Sequence, residues 1–385
     1  MTAPDLHIIA FDIPYPANYG GVIDVFYKLK ALHAAGLRIT FHAFRYGERQ
    51  PQAELEKYAQ RVIYYRRDTS WLRQISAQPY IVTSRKHPAL LNNLQSDHAP
   101  VLAEGLHCSA FFAHPALQNR LKILRMHNAE ADYYRNLAQI ESNPLNKAFF
   151  WLESQRLQCY ERKIISFADA LLTISPADTA YFSAKHPQIE YIPPFHPHQS
   201  VDSEIGHTGD FALFHANLSV ADNEESAIFL INEVFSRTTF PFIIAGRAPG
   251  QRLYLAAEKY PHISVKPDIS QAEMENLQRT ARVHIMWTMQ NAGMKLKLLD
   301  ALFVGRHCIA NRLMTQKTGL EDLCVNVQNA EEAITALTRL RNTSFTETEK
   351  SKRTKVLQNH FSNARNADKI VSLLRRTPES DKFSP

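Results

Sequence analysis

The sequence predicts an α/β protein built from two doubly wound parallel-sheet domains that face each other across a central cleft. Two observations carry this prediction. Residues 1–45 have the order strand, glycine-rich turn, helix, strand, and a similar alternation starts again after a proline-rich segment in mid-chain. A strand, a helix and a second strand in succession form a βαβ unit with parallel strands. Two such halves indicate two sheets, each covered by helices.

The first βαβ unit is defined by its apolar runs and turns. Residues 6–13 are mostly apolar and stop at Pro14, as expected of a buried strand. The turn-rich stretch 14–21 follows, and an apolar stripe at helical spacing then leads to Gly36, where a glycine would end a helix. Residues 37–44 are the second predicted strand.

The later elements repeat the alternation on both sides of a polar, proline-rich stretch over 191–210. That stretch predicts a domain boundary, with an N-terminal domain over 1–195 and a second domain from 196. In the first half we expect a long helix over 144–167 and strands over 61–65, 100–104, 121–126 and 170–175. In the second half we expect strands over 211–215, 240–246, 263–266, 283–288 and 307–311, with helices between them.

Composition and charge narrow the possible functions. The 385 residues are 45% apolar, which excludes an intrinsically disordered chain, and their net charge of +6 leaves phosphates, nucleotides and anionic lipids open as partners. No apolar run approaches the roughly 18 residues that cross a membrane, and the start lacks the basic residues of a secretory signal. Since the four cysteines form no CxxC pair, we expect a reduced, cytoplasmic protein.

The first candidate site follows the first strand. Tyr19, Gly20 and Gly21 lie in the turn before the first helix, and open α/β sheets bind ligands at the carboxyl ends of their strands. Paired glycines there let backbone amides approach a phosphate, although a tight structural turn explains them equally well. The pattern is neither GxGxxG nor a P-loop, which argues against both of those cofactor classes.

The second candidate site follows the strand predicted over 121–126. His127, Asn128 and Glu130 come directly after it, so their side chains are expected to point into the cleft. The alternative is that Asn128 caps a helix and His127 lies on the surface.

The third candidate site is the start of the helix predicted over 294–304. Gly293 and Met294 would present free amides and the positive end of the helix dipole. Lys295 and Lys297 oppose that dipole unless an anion lies between them, which favours a phosphate site, and the alternative is that both extend into water. Asp300, one turn further, could accept a hydrogen bond from a ligand hydroxyl.

Weaker candidates follow other strands of the second half. Gly246 and Arg247 end one strand, and Asn217 and Asn223 follow another. The pair His196 and His198 lies in the linker without a nearby carboxylate or cysteine, and the chain has no Asp-x-Asp motif, so no metal site is expected.

In this order, these residues resemble the retaining glycosyltransferases of the large group-one family, which have the two-domain GT-B architecture. The loop ending in Gly20-Gly21 matches the family's first glycine loop, His127-Asn128 its cleft histidine, and residues 242–246 its IxG strand. Residues 293–310 are similar to its donor helix, but the chain departs from the family in two respects, its glutamate pair and one basic loop. Ala292 stands in place of the first glutamate of the family's pair, and Asp300 in place of the second. The chain also lacks the family's basic residues between His215 and Ser226, and it resembles instead a subgroup with an Asn, here Asn217 or Asn223, in that region.

The resemblance implies a hexosyl transfer from a nucleoside-diphosphate sugar to a glycan or lipid-linked acceptor in cell-surface polysaccharide biosynthesis. It implies retention of configuration and a metal-free site without a cofactor, in which lysines, amides and helix dipoles stabilise the charge on the leaving diphosphate. It also implies that a last helix, over 356–374 and followed by a tail to 385, returns to the N-terminal domain from a donor domain ending at 355. The residues concerned are, as catalytic groups, His127, Lys295, Lys297 and Arg247; at the donor, Gly20, Gly21, Asn217, Asn223, Gly246, Gly293, Met294 and Asp300; and on the acceptor side, Tyr19, Asn128 and Glu130.

Three other interpretations stay open. One is a nucleotide-sugar epimerase or hydrolase on the same fold, with Glu104 or Glu130 as the carboxylate that activates water. The second is a non-catalytic nucleotide-sugar-binding protein, which the departure at Ala292 favours. The third is a nucleic-acid binder, for which the single basic and aromatic cluster is Tyr64-Tyr65-Arg66-Arg67 with Trp71 and Arg73. We interpret this cluster instead as a surface that faces the acceptor or an anionic membrane, and we expect no nucleic-acid partner.

Overall fold

The computed structural model describes residues 5–127, 129–141, 143–205, 209–290, 296–316 and 318–375, and the chain divides into two units. The first unit is formed by the chain up to Pro197 together with the chain from Asn363. The second unit runs from His198 to Ser362. Each unit is built on one parallel sheet with helices, as the alternation of elements predicts.

The strands of the first unit are β1 Asp5–Ala10, β2 Arg38–Arg45, β3 Arg61–Arg66, β4 Val101–Glu104, β5 Lys122–Met126, β6 Ala170–Thr173 and β7 Ile189–Tyr191. Among the described residues they form a seven-stranded parallel sheet in the order β3-β2-β1-β4-β5-β6-β7. The helices in this part of the chain are α1 Gly20–Ala34, α2 Trp71–Gln74, α3 Tyr80–Thr83, α4 Pro88–Leu94, α5 Glu130–Ile140, α6 Pro144–Ile164 and α7 Pro176–Ser183. Gly36 has a φ of +86° just after α1, which explains the glycine that ends this helix.

The strands of the second unit are β8 Ala212–Asn217, β9 Phe242–Arg247, β10 Ile263–Pro267, β11 Val283–Met286, β12 His307–Asn311 and β13 Val325–Val327. In the described ranges they form a six-stranded parallel sheet in the order β10-β9-β8-β11-β12-β13. The helices of this unit are α8 Ala221–Phe229, α9 Gln251–Ala257, α10 Gln271–Thr280, α11 Leu296–Val304, α12 Arg312–Thr315, α13 Ala330–Arg341 and α14 Glu347–His360. The side chains of Ser270 and Asn329 cap α10 and α13.

The order of strands reverses at one point in each sheet. β1 pairs with both β2 and β4, and β8 pairs with both β9 and β11. At such a point neighbouring connections leave the sheet on opposite faces, which opens a crevice at the carboxyl ends of the strands. The ends of β1 and β4 in the first unit, and of β8 and β11 in the second, are therefore the edges at which a ligand is expected to bind.

The end of the chain differs from the single helix expected over 356–374. α14 ends at His360 in the second unit, and a separate helix, α15 Asn363–Arg375, belongs to the first unit. Asn363 is held by two hydrogen bonds with the backbone of His196, one donated by the His196 N–H at 3.3 Å and one accepted by its carbonyl at 2.7 Å. α15 then packs the buried side chains of Ala367, Ile370 and Val371 into the core that α1 also lines.

None of the helices in the described ranges combines the length and the apolar character needed to cross a bilayer.

Candidate functional site

The loop after β1 is held by a buried carboxylate. Asp12 is 2% exposed and accepts hydrogen bonds from the Ile13 N–H at 2.8 Å and the Tyr19 hydroxyl at 2.6 Å. Arg49 approaches the same carboxylate at 3.4 Å and lies over the Tyr19 ring, with 5.3 Å from its guanidinium carbon to the ring centre. Burial and the bond to Asp12 raise the pKa of Tyr19, so its hydroxyl stays protonated. The hydroxyl group thus anchors Tyr19 at the edge of the sheet, and 36% of the residue remains exposed to solvent.

The paired glycines open α1, and one of them has a packing reason. Gly20 and Gly21 are the first two residues of the helix. A Cβ atom on Gly21 would lie 2.8 Å from the Phe11 ring. That ring also packs against His107 and His127, at 5.4 and 5.5 Å between centres. Gly21 therefore lets an aromatic side chain pack under the helix N-terminus beside His127.

A buried charge network lies beneath this edge. Arg125 of β5 binds Asp24 of α1 through two hydrogen bonds of 2.8 and 2.9 Å. Lys28, one turn after Asp24, lies 2.8 Å from the carboxylate of Glu104 at the end of β4. Glu104 in turn lies 2.9 Å from Nε2 of His127, whose Nδ1 is 3.9 Å from Asp24. The network therefore holds His127 between two carboxylates at the carboxyl end of β5.

The two carboxylates of this network are ionised. Burial by itself would raise the pKa of Asp24, but Arg125 and Lys28 outweigh it and hold that pKa well below its usual range. Lys28 and His127 likewise lower the pKa of Glu104 against the effect of burial. Asp24 and Glu104 then face the basic groups Arg125 and Lys28, so the buried charges compensate one another.

The same residues offer a set of metal ligands. One donor atom each from Asp24, Glu104 and His127 lies within 4.8 Å of the others. Lys28 and Arg125 already neutralise the two carboxylates, and an added divalent cation would face both of these positive groups at short range. The chemistry of this cluster therefore suits a structural ion-pair network better than a metal.

Glu130 begins α5 and is 6% exposed. Burial raises its pKa to about 7, with Arg85 opposing that rise and Glu161 adding to it. Arg85 is itself buried and donates to the carbonyls of Phe11 at 3.0 Å and Ile81 at 2.9 Å. A carboxyl group that exchanges its proton near neutral pH can act as an acid or a base.

At the edge of the second sheet, Lys297 of α11 places its ammonium group at the first turn of α8, the helix that follows β8. Nζ of Lys297 donates to Oδ1 of Asn223 at 2.8 Å and to the carbonyl of Trp287 at 3.3 Å. Asn223 in turn donates to the carbonyl of Asn217 at 2.8 Å. Lys297 thus supplies the positive charge that the sequence of the loop between His215 and Ser226 lacks. The structure brings together these three predicted residues at the reversal point of the sheet.

Asp300 lies on the same helix with a different partner. Its Oδ1 lies 2.7 Å from Nε2 of His198, whose ring stacks on Phe303 at 5.0 Å between centres. Burial lowers the pKa of the nearby His215 imidazole to about 4. The Asp300 carboxylate raises this pKa and the Lys297 ammonium lowers it, but both effects are smaller than that of burial. His198, which the sequence places in a linker without a carboxylate partner, therefore has one.

The strand that carries Gly246 requires this glycine. A Cβ atom there would collide with the carbonyl oxygen of Ala216, which faces it across the β8–β9 pair. Arg247 follows at the exposed end of β9, and its carbonyl accepts from the Leu218 N–H at 3.0 Å. Gly246 lets the backbones of β8 and β9 come close at their carboxyl ends, and Arg247 is exposed there.

Several predicted residues lie outside the described ranges, namely Asn128, Ala292, Gly293, Met294 and Lys295. Sequence reasoning also missed residues. Asp24 and Lys28 are charged residues four apart on a helix whose neighbouring positions are apolar, and that pattern could have revealed a buried ion pair. Asp222 was missed as well: its carboxylate accepts from the Thr288 hydroxyl at 2.8 Å and the Met289 N–H at 2.9 Å, which fixes the loop after β11.

Comparison with known sequences finds a relative but no family. No family model matches the chain. A protein of Klebsiella pneumoniae, described as an uncharacterized 44.6 kDa protein in the cps region, is 25% identical over 330 residues. The match covers 81% of this chain and 84% of that protein.

Solved structures of low sequence identity share the architecture. The catalytic domain of starch synthase IV from Arabidopsis thaliana, bound to ADP and acarbose, is 12% identical with a TM-score of 0.62 and covers 98% of this chain and 99% of that one. HepE of Anabaena, in complex with UDP and glucose, is 10% identical with a TM-score of 0.62, covering 96% and 99%. A UDP-glucosyltransferase from Polygonum tinctorium is 11% identical with a TM-score of 0.57, covering 98% and 100%. With its two parallel sheets, the chain therefore has the GT-B fold of glycosyltransferases, as the sequence predicts.

Proposed function

We propose that this protein is a glycosyltransferase that moves a hexose from a nucleoside-diphosphate sugar to a glycan or lipid-linked acceptor in cell-surface polysaccharide biosynthesis. The observation that carries the proposal is the position of Lys297 beside Asn223 at the reversal point of the second sheet. An ammonium group at this edge suits the diphosphate of a donor. The relative from a cps region supports the placement in polysaccharide synthesis.

The leaving diphosphate sets the chemical task. Breaking the bond between the sugar and the diphosphate leaves negative charge on the β-phosphate, which must be stabilised as it forms. In our proposal Lys297, together with Lys295 and Arg247, provides this stabilisation, and Gly293 and Met294 contribute backbone amides. Asn217, Asn223 and Gly246 shape the donor edge, and Asp300 accepts from a hydroxyl of the nucleotide ribose. We propose that this stabilisation needs neither a metal nor a cofactor.

The residues of the first unit serve the sugar and the acceptor in this proposal. Gly20 and Gly21 border the diphosphate, and Tyr19, Asn128 and Glu130 border the acceptor. His127 contacts the donor sugar or the departing phosphate, and Glu104 fixes the orientation of its ring. We propose transfer with retention of the anomeric configuration, which NMR of the product's anomeric proton would test.

The decisive experiment first identifies the donor and then measures how substitution of Lys297 changes turnover of that donor. A thermal-shift screen of UDP-, GDP-, ADP- and dTDP-sugars identifies the donor, because a ligand that binds the native state raises its melting temperature. Release of the nucleoside diphosphate is then measured with a lipid or glycan extract as acceptor.

We expect Lys297→Ala to lower kcat/KM about 100-fold and Lys297→Arg to restore part of it. The matched control, Lys259→Ala on the exposed surface of the second unit, should leave it unchanged. Full activity of Lys297→Ala would remove the lysine from the mechanism, and loss of turnover with a chelator would contradict the metal-free site.

A nucleotide-sugar hydrolase is the second candidate, and the state of Glu130 favours it. Of the two carboxylates that could activate water, Glu104 is bound to Lys28 and His127, whereas the pKa of Glu130 is raised to about 7. A hydrolase would release the sugar at the same rate with and without acceptor, and Glu130→Gln would abolish the release. Transfer that needs the acceptor would exclude this function. A donor that binds but is never turned over would instead indicate a non-catalytic binding protein.

A further inference from the structure

A basic pocket of about 460 Å³ lies on the first unit, at the end of β3 and beside α2. Four cationic side chains line it: Arg66, Arg67, Arg73 and Lys86. The lining contains the cluster of arginines that the sequence singles out and that the proposed sugar transfer does not use. All of these residues belong to the first unit.

The charges in this pocket do not cancel. The single carboxylate among the lining residues, Asp68, lies 2.7 Å from Nε of Arg73 and accepts from the Ser70 N–H at 3.0 Å. These hydrogen bonds lower the pKa of Asp68 to about 2, so Asp68 and Arg73 form a neutral pair. Arg66, Arg67 and Lys86 have no carboxylate partner within the described part of the chain. The pocket therefore presents about three positive charges to an incoming anion.

Arg67 is held in place within the pocket. It donates to the Ser84 hydroxyl at 2.9 Å, and its guanidinium lies over the rings of Tyr46 and Tyr80, at 5.0 and 4.9 Å from their centres. Contacts with a hydroxyl and with aromatic faces position the group without neutralising it. An anion bound here would meet a guanidinium that is already oriented.

An apolar ridge formed by Trp71, Leu72 and Ile75 lies next to the pocket residues Ser70 and Arg73 in the chain. On and just after α2, the side chains of Trp71, Leu72 and Ile75 are 67%, 56% and 65% exposed. These residues surround Arg73, which lines the pocket. Three large exposed apolar side chains beside a strongly basic cavity match a ligand that has an anionic head and a hydrocarbon body.

The aromatic side chains of this segment argue against a nucleic acid. Tyr65 is 3% exposed, so its ring cannot stack on a base. Tyr64 is half-buried and bonds to the backbone of Gln52. Of the three aromatic residues in the cluster over 64–73, Trp71 alone is largely exposed, so this cluster does not form the interleaved exposed aromatics that a nucleic-acid surface needs.

We propose that this pocket binds the phosphate monoester or diphosphate headgroup of a membrane lipid, with Trp71, Leu72 and Ile75 in the interfacial region of the bilayer. A phosphate monoester carries about −1.5 to −2 charges at neutral pH, whereas a phosphodiester carries one. Three uncompensated cations favour the more highly charged group. This binding does not depend on the proposed sugar transfer, so each can fail without the other.

Flotation of the full chain with vesicles tests the proposal. Phosphatidylcholine vesicles containing phosphatidic acid, a monoester, are compared with vesicles containing phosphatidylglycerol, a diester, at equal surface charge. We expect tighter binding to phosphatidic acid, and about 25-fold weaker binding for the double variant Arg66→Gln with Lys86→Gln, from about fivefold per basic residue near an anionic surface. The control double variant Lys259→Gln with Lys355→Gln removes the same charge from exposed positions of the second unit and should bind like the wild type.

Two further variants distinguish binding of the headgroup in the pocket from insertion of the apolar ridge into the membrane. Ile75→Ser should weaken vesicle binding but leave the binding of inorganic pyrophosphate, measured by calorimetry, unchanged. Leu255→Ser, a change at a 56% exposed position of the second unit, should affect neither. Equal binding to both vesicle types, or equal loss in both double variants, would overturn the proposal. Pyrophosphate binding that depends on Arg66 and Lys86, without any vesicle binding, would overturn the lipid and indicate a soluble phosphorylated ligand.

Discussion

Nε2 of His127 lies 2.9 Å from the carboxylate of Glu104, which is buried and paired with Lys28. An ionised carboxylate can only accept a hydrogen bond, so Nε2 of His127 carries the proton. Glu104 thereby sets the tautomer and the ring orientation of the histidine at the carboxyl end of β5. Lys28 keeps Glu104 ionised although the carboxylate is inaccessible to water.

Glu104→Gln should destabilise the protein by about 3–5 kcal/mol, because it leaves the ammonium of Lys28 buried without one of its two partners. Urea unfolding monitored by circular dichroism measures this change. The control is Glu54→Gln, which breaks a Lys–Glu pair whose lysine side chain is 65% exposed and should cost far less stability. Equal losses of stability in the two variants would show that the buried network stabilises the protein no more than an exposed ion pair does.

Glu130 should make the first unit less stable as the pH rises. Its pKa is about 7 in the folded protein against an ordinary value of 4.5, so the folded state binds the proton more tightly. This tighter proton binding stabilises the folded state fully below pH 4.5. The stabilisation, up to about 3 kcal/mol in the free energy of unfolding, is lost as the pH rises from 4.5 to 7. We expect Glu130→Gln to remove this part of the pH dependence in unfolding measured at pH 5 and pH 8. Glu48→Gln, at an exposed position, should keep the wild-type profile, and an unchanged profile in Glu130→Gln would refute the assignment.

Lys297 and Asn223 should act as a pair in binding the diphosphate. Because the amide oxygen orients the ammonium, Lys297→Ala and Asn223→Ala should not be additive, with a coupling of about 0.5–3 kcal/mol in the free energy of nucleoside-diphosphate binding. Calorimetry on the two single variants and the double variant measures the coupling. A second cycle, Asn223→Ala with Lys259→Ala, should be additive. Additive effects in the first cycle would mean that the two residues bind independently.

Gly246→Ala should cost more stability than Gly36→Ala. A methyl group at 246 meets the backbone carbonyl of Ala216 and must push two paired strands apart, for which we expect a loss of about 1–3 kcal/mol or more. Gly36 has open space around it, so alanine there has only the strain of its positive φ, about 1 kcal/mol. Thermal unfolding compares the two variants, and the opposite order would contradict the close approach of β8 and β9.

α15 should be an integral part of the first unit. Ile370 is fully buried in the core that α1 lines, so Ile370→Ala should cost about 2–5 kcal/mol. Asp368→Ala, at an exposed position of the same helix, is the control and should change stability by less than about 0.5 kcal/mol. Hydrogen exchange should show faster exchange in α1 and β1 for Ile370→Ala. Unchanged protection there would show that the helix is dispensable.

The two βα-alternating halves and most of their strands could be predicted, because buried parallel strands produce short apolar runs that are visible in the sequence. The three-residue strands β7 and β13 were missed, since so few residues form no pattern. A single last helix over 356–374 was expected from the resemblance to the glycosyltransferase family. The break at Phe361 and Ser362 instead accompanies a change of unit, which depends on where each apolar face is buried.

For the candidate site, the sequence by itself placed glycines and a histidine at strand ends and lysines at the start of a helix, because the order of strands and helices determines which residues follow each strand. Only the tertiary structure decided their partners. Lys297 reaches Asn223, 74 positions away in the chain, and His127 is set by Glu104 and Lys28, from two other elements. Such pairings depend on which strands are neighbours in the sheet and on burial. Burial makes an unpaired charge costly in free energy. In the folded chain Tyr65 lies in the core, whereas the next residue, Arg66, is exposed.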